Sequence, residues 1–162
     1  MSKCIYFWKP SDNNGYLGNW YDSPFTKHGI CFINNEQYFM WGKQQLFDPK
    51  NLLLEKKILE ATNSSVIKKL GRFVQNFNQS VWDTEKYEIM KIGLIEKFSQ
   101  NTLLKQELLN TNDAILVEAS PYDTIWGIGL NEQDAKIKKW RGENLLGKAL
   151  MDVRTILSKN SF

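Results

Sequence analysis

Histidine and cysteine are nearly absent from this 162-residue chain, which has one histidine, His28, and two cysteines, Cys4 and Cys31. That excludes a disulfide-stapled scaffold and every Cys/His zinc pattern, so neither a metal nor a cofactor is expected. A lone histidine with no nearby Ser or Cys partner also argues against triad chemistry. His28 reads as a surface loop residue. Long apolar runs are missing too. No stretch approaches the roughly 20 apolar residues that span a bilayer, and the opening MSKCIYFWKP lacks the apolar run of a signal peptide. A soluble cytoplasmic protein with no membrane contact is the expectation. Charge of one sign is scarce as well: 21 Lys plus Arg face 18 Asp plus Glu, a formal net charge of +3. That is too mild to mark a nucleic-acid binder by itself. Proline is rare and scattered, and no linker, repeat or low-complexity tract divides the chain. Residues 1–162 read as a single domain large enough to build a real core.

What the chain has in excess is aromatic. Rings make up 13% of it, with 6 Trp, 6 Tyr and 9 Phe. Large side chains of this kind usually fill cores. Several here lie beside carboxylates and glycines in polar segments, where a stacking pocket explains them better.

Residues 4–8 (CIYFW) and 30–33 (ICFI) are short aromatic and β-branched runs bounded by turn formers, and they read as strands. Between them, the turn-rich residues 10–25 carry four aromatics and suggest an ordered loop. Asn34 is placed to cap a helix from Asn35 to about Phe47, with Gln37 completing a capping-box pattern. Asp48-Pro49 predicts a second helix to about Ala61. Ser64 or Ser65 opens a third, stopped by Gly71. Asp83 is the expected cap of a fourth, to about Gln100, with Trp82 and Tyr87 as its hydrophobic staple. Residues 102–110 continue helically, and 114–119 (AILVEA) look like a buried strand. Asn144 is the expected cap of a last helix whose apolar face is Leu145, Ala149, Val153 and Ile156. Many helices with a few irregularly interspersed strands define an α+β, predominantly helical fold.

Three segments could carry chemistry. In NNEQYFMWGKQQLF (34–47), the 100° helical step puts Glu36, Met40 and Lys43 on one face. The neighbouring Tyr38, Phe39 and Trp41 leave that helix apolar around most of its circumference, so its charges face a cavity or a partner. In SPYDTIWGIGL (120–130), Asp123 and Trp126 sit in a turn after the buried strand. There Gly127 and Gly129 would let backbone N–H groups approach a ligand. In WRGENLLGKALMDVR (140–154), Arg141 and Gly142 precede a helix start and form a candidate phosphate seat, and Arg72 after Gly71 forms another.

Taken in order, YLGNWYDSPF (16–25), NNEQYFMWGK (34–43), LGRFV (70–74), Trp82 with KYEIM (86–90), KFSQN (97–101), LLNT (108–111), LVEASPYDTIWGIGL (116–130) and GENLLGKALMDVR (142–154) resemble the NADAR, or YbiA-like, family. The likeness is collinear and covers nearly the whole chain. It implies an α+β fold and hydrolysis of N-glycosidic bonds in phosphorylated ribosides. Riboflavin-pathway intermediates are the leading substrates, and ADP-ribosylated guanine in nucleic acid is the alternative. It further implies catalytic roles for Glu36, Asp123 and Lys43. Trp82, Trp126, Asn19, Arg72, Gly127 and Asn144 are the expected substrate-binding residues.

Breaking a C1′–N bond develops positive charge on the ribose and negative charge on the leaving base, which suits two carboxylates. Among the motif residues only Glu36 and Asp123 can be paired for those tasks. Asp123, on a mobile and wet turn, is expected to handle water. Glu36, near a helix N-terminus, is expected to stay ionised and stabilise the oxocarbenium-like state. Lys43 has two possible roles, neutralising phosphate or attacking C1′ as a desolvated amine. The same pocket would also serve a non-catalytic module that binds NAD or ADP-ribose. A purely structural interaction domain would leave the buried charge of Glu36 unexplained. No obligate protein partner is implied.

Overall fold

The computed structural model describes residues 2–160. Strand β1 (Cys4–Phe7) pairs in parallel with β4 (Ile115–Glu118), Cys4 opposite Ile115 and Phe7 opposite Glu118. A hairpin joins β2 (Phe25–Lys27) to β3 (Ile30–Phe32). Its two-residue turn, His28-Gly29, has positive φ at both positions, the twist that suits a tight hairpin. Helices α1 (Asn35–Phe47), α2 (Leu52–Glu60), α3 (Ser64–Leu70), α4 (Gln79–Gln100) and α5 (Thr102–Leu109) follow. After β4 come a short α6 (Glu132–Ala135) and α7 (Leu145–Lys159). The fold is α+β and mostly helical, as the sequence implies, and none of its described helices is long and apolar enough to cross a membrane. His28 is exposed.

Asparagines set most helix starts. Asn34 caps α1 by accepting from the Gln37 N–H at 3.1 Å. The Gln37 side chain reaches one residue further back than a capping box requires, accepting from the Ile33 N–H at 2.8 Å. Two expected caps are corrected. Asn51, not Asp48, opens α2, because the Asp48 carboxylate turns away to accept from Asn51 Nδ2 and the Gln75 N–H. Pro49 therefore lies in the preceding turn. Asn78, not Asp83, opens α4, and Asp83 instead pairs with Lys86 one turn on. The staple across that helix start joins Phe77 to Trp82, ring centroids 6.5 Å apart, in place of Trp82 and Tyr87.

The main core gathers Phe39, Met40, Leu94, Phe98, Leu116, Leu150 and their neighbours between α1, α4, α7 and β4. On α7 the fully inward stripe is Leu146, Ala149, Leu150, Val153 and Leu157. It is turned slightly from the expected one, leaving Leu145 and Ile156 half-buried. Asn144 begins α7, but its side chain does not cap it. It adopts the left-handed conformation at φ 55° and crosses to β4. There its Nδ2 donates to the Leu116 carbonyl at 2.9 Å and its Oδ1 accepts from the Glu118 N–H at 3.0 Å. Gly147 completes the junction, since a Cβ there would collide with the Leu116 carbonyl.

Asn144 is thus a backbone substitute for a neighbouring strand. Asn144→Ala removes both bonds, buries an unpaired carbonyl and N–H, and puts a Cβ-bearing residue without a local hydrogen bond at positive φ. A loss on the order of 3 kcal/mol in urea denaturation is expected. Stability within 0.5 kcal/mol of the parent, on the order of an ordinary surface change, would contradict this account.

Candidate active site

A cavity of about 720 Å³ opens beside the core, within the range of small-molecule pockets. Of the nine expected site residues, Glu36, Lys43, Trp82, Asp123, Trp126, Asn19 and Arg72 all line it. Gly127 and Asn144 do not. Asn144 is committed to β4 as described. Gly127 is buried beneath the 120–130 turn, where a Cβ would press on the carbonyls of Asp123 and Glu118 at 2.9 and 3.0 Å. Gly129, at φ 69°, donates its N–H to the Asp123 carbonyl at 2.9 Å. These glycines let the turn fold on itself, and the Gly129 N–H is spent within it. The Arg141-Gly142 seat also lies outside the cavity, since both N–H groups are taken by the Ile128 carbonyl.

Helix α1 supplies one wall with Glu36, Met40 and Lys43, the face that its periodicity defines. Glu36 is 7% exposed. The expectation that the helix N-terminus keeps it ionised is overturned. Its own N–H is used by the Asn19 carbonyl at 3.1 Å, and that of Gln37 by Asn34. The end of the helix is spent on neutral acceptors, and burial then dominates. Loss of hydration pushes the Glu36 carboxyl up to about 7, against the lowering effects of Lys68 and the Trp20 indole.

A second acid in the cavity, half-buried as a residue, was not among the expected residues. Glu118, the last residue of β4, lines the same cavity, and its Oε2 atom is sealed from solvent without a hydrogen-bond partner. Burial, then the nearby charges of Asp123 and Glu36, push its carboxyl up to about 8, with Lys68 opposing. Its signal in the sequence is a carboxylate closing an apolar strand, five positions before Asp123. Asp123 is half-buried and held firmly, its Oδ1 accepting from the Ile125 and Trp126 N–H groups at 2.9 and 2.8 Å. It is wet but not mobile, because those two donors fix the carboxylate in its turn.

Aromatic rings line the cavity beside these acids. Phe39 packs on Trp82 and Trp126, centroids 5.1 and 5.3 Å away. Lys43 is wedged at 4.8 Å over Phe77 and 5.7 Å over Trp82, its amine donating to the Gly71 carbonyl at 2.9 Å. Burial and then Arg72 push the Lys43 amine below its usual value. Exposed Lys68 and Arg72 stand at the rim. Among the described residues no group of three or more His, Cys, Asp or Glu side chains could hold a metal ion.

A carboxyl held protonated by folding makes stability depend on pH. Glu118 binds its proton more tightly folded than unfolded, so its contribution is full below about pH 4.5 and is lost as pH rises through about 8. Glu118→Gln removes that loss. Its melting temperature relative to the parent should therefore rise between pH 5 and pH 9, by about 2–4 °C per kcal/mol relieved. Parallel curves for the two proteins across that range would refute the burial of this charge.

The NADAR domain family model matches residues 6–158. The chain is 47% identical over 126 residues to an N-glycosidase of Acanthamoeba polyphaga mimivirus, covering 76% of this chain and 73% of that one. It is 34% identical to a riboflavin biosynthesis protein of Vibrio vulnificus over 99% of its own length, which spans 40% of that longer protein. Identity to the N-glycosidase YbiA of Shigella flexneri is 30%, over 95% of this chain and 88% of the relative. The NMR structure of the E. coli protein YbiA superposes with a TM-score of 0.79 at 26% identity, covering 99% of this chain and 88% of that one. A collinear motif set, a shared fold and a match over nearly the whole length agree, and the chain belongs to the NADAR domain family.

Proposed function

We propose that this chain hydrolyses the N-glycosidic bond of phosphorylated ribosides, in which a base amine is joined to ribose 5-phosphate, as in intermediates of riboflavin biosynthesis. Relatives named N-glycosidase and riboflavin biosynthesis protein support the reaction class and the substrate. The observation that carries the reading is one aromatic-walled cavity holding two acids raised towards neutrality beside a third carboxylate.

Each group has a task in this scheme. Glu118, raised to about 8, still carries its proton at neutral pH and gives it to the departing nitrogen. Glu36, raised to about 7, is partly ionised there and sets negative charge against the oxocarbenium-like ribose. Asp123 faces the wetter side and orients the water whose oxygen bonds to C1′. Trp82 and Trp126 flank the planar base or the flattened sugar. Lys68 and Arg72 at the rim take the phosphate. That frees Lys43: as Glu118 protonates the leaving nitrogen, the desolvated amine bonds to C1′, passes a proton to the ring oxygen and opens the sugar to a Schiff base. The Asp123-oriented water then hydrolyses the Schiff base, which releases ribose phosphate and restores the amine.

One observation favours a second reading, cleavage of an ADP-ribose-type ligand from a base, including one within nucleic acid. Trp8 and the 87%-exposed Tyr122 stand 5.9 Å apart at the cavity mouth, with Lys9 over Trp8, more aromatic surface than a one-ring substrate needs. Mass spectrometry after incubation with a riboflavin intermediate, ADP-ribosylated guanine DNA and NAD separates the possibilities. Release of free base from the riboflavin intermediate is expected. Release only from the ADP-ribosylated DNA selects the second reading. Binding without release from any of them overturns the enzymatic proposal.

Glu36→Gln and Asp123→Asn should each cut turnover by about 10²–10³ while melting stays cooperative. Trp82→Ala should lower binding and stability together, because it removes ring contacts on both Phe39 and Lys43. Near-normal turnover in Asp123→Asn would end its catalytic assignment. Cyanoborohydride added during turnover should trap a ribosyl adduct on Lys43. Unimpaired turnover with no adduct assigns Lys43 to phosphate instead.

A further inference from the structure

Lys97, in the last turns of α4, is fully buried, an arrangement that costs stability unless something needs its donors. No ion pair among the described residues compensates it, and burial alone pushes its amine down to about 7. Its Nζ donates to the Tyr16 carbonyl at 2.6 Å and the Gly18 carbonyl at 2.9 Å. The Gly18 carbonyl immediately precedes Asn19 and Trp20, the two residues of this segment that line the cavity. The Asn19 carbonyl accepts the Glu36 N–H at 3.1 Å, its Oδ1 accepts from Asn35 Nδ2 at 2.9 Å, and the Trp20 indole acts on the Glu36 carboxyl.

The same end of α4 holds the rest of the segment. Asn101 Nδ2 donates to the Pro24 carbonyl at 3.1 Å, Gln100 exchanges two bonds with the Thr26 backbone at 2.8 Å each, and Glu96 pairs with Lys27. These outer contacts are exposed or half-exposed and individually weak. Lys97 is the buried member of the set.

We propose that Lys97 is a positioning residue that sets Asn19 and Trp20 against Glu36 by holding the carbonyls of Tyr16 and Gly18. An apolar side chain of similar length would pack in its place more cheaply. It would leave two carbonyls without donors and the segment free to shift. The activity part of this inference rests on the glycosidase reading above; the positional part does not.

The test is Lys97→Met, with Lys27→Ala as a control that removes the Glu96 ion pair at the far end of the same segment. Three quantities are read: the Trp20 indole N–H resonance, hydrogen exchange at the Glu36 amide, and kcat and KM on the substrate that the parent cleaves. In Lys97→Met the indole resonance should move and Glu36 exchange should quicken at least tenfold. The core amide of Leu150 should keep its protection, which separates local loosening from general loss of stability. kcat should fall about 10- to 100-fold, the scale of a small misplacement of reacting groups, with little change in KM. Lys27→Ala should leave all three near parental values. If Lys97→Met does not fold, Lys97→Gln, which keeps a donor but not the charge, is read in the same way. An unmoved indole signal and unchanged Glu36 exchange in a folded variant overturn the proposal. If both move while the parent protein cleaves no N-glycoside, the positioning stands and the glycosidase reading fails instead.

Discussion

Keeping Glu36 and Glu118 out of water within one cavity is the constraint that the rest of the site answers to. Among the described residues neither acid has a counter-ion pressed against it; exposed Lys68 acts on both from the rim. Two negative charges so close together and so poorly hydrated, with Asp123 beside them, are costly at neutral pH, so Glu118 keeps its proton while Glu36 is only partly ionised. A glycosidic nitrogen needs such a proton when its bond to C1′ breaks. The same burial that weakens the protein as a folded object supplies the acid that the proposed reaction calls for.

Much of the surrounding structure keeps that arrangement fixed. The donors at the start of α1 are absorbed by Asn34 and the Asn19 carbonyl, so the helix dipole does not draw Glu36 into its ionised form. Glu118 is held from behind, because Asn144 grips its N–H and the parallel pairing of β4 with β1 fixes the strand. Asp123 is clamped by the turn that Gly127 and Gly129 allow to close. Met40, Phe39 and Trp82 belong to the core and to the cavity wall at once, which ties the geometry of the site to the packing of the whole domain.

Local chemistry made much of this readable from the sequence. Asn34 before an apolar helix, and the spacing of Glu36, Met40 and Lys43 along it, depend only on neighbours in the chain, and both hold. The strand at 115–118 and the turn bearing Asp123 and Trp126 were visible for the same reason. Helix starts at α2 and α4 were misplaced because several capping residues stand close together there, and the Asp48 and Asp83 carboxylates found other partners. Strand β3 falls within the strand expected at 30–33, but its hairpin partner β2 escaped notice because it is three residues long and the turn is His-Gly, not one of the usual pairs. Glu118, Lys68 and Lys97 could not be placed by periodicity. Whether each faces a cavity, a rim or a core depends on contacts between distant segments. Gly127 and Asn144 carry no local mark that separates binding a ligand from supporting the strand beside it.

The protonation of the buried acids is the point at which fold and chemistry meet, and carbon-13 NMR of the side-chain carboxyls reads it without a substrate. Titrating the free protein from pH 3 to pH 10 should show Glu36 ionising near 7 and Glu118 near 8, as two coupled steps of one site. Midpoints for both near the ordinary glutamate value of about 4.3 would contradict the account, since they would show the two groups hydrated and already ionised at neutral pH.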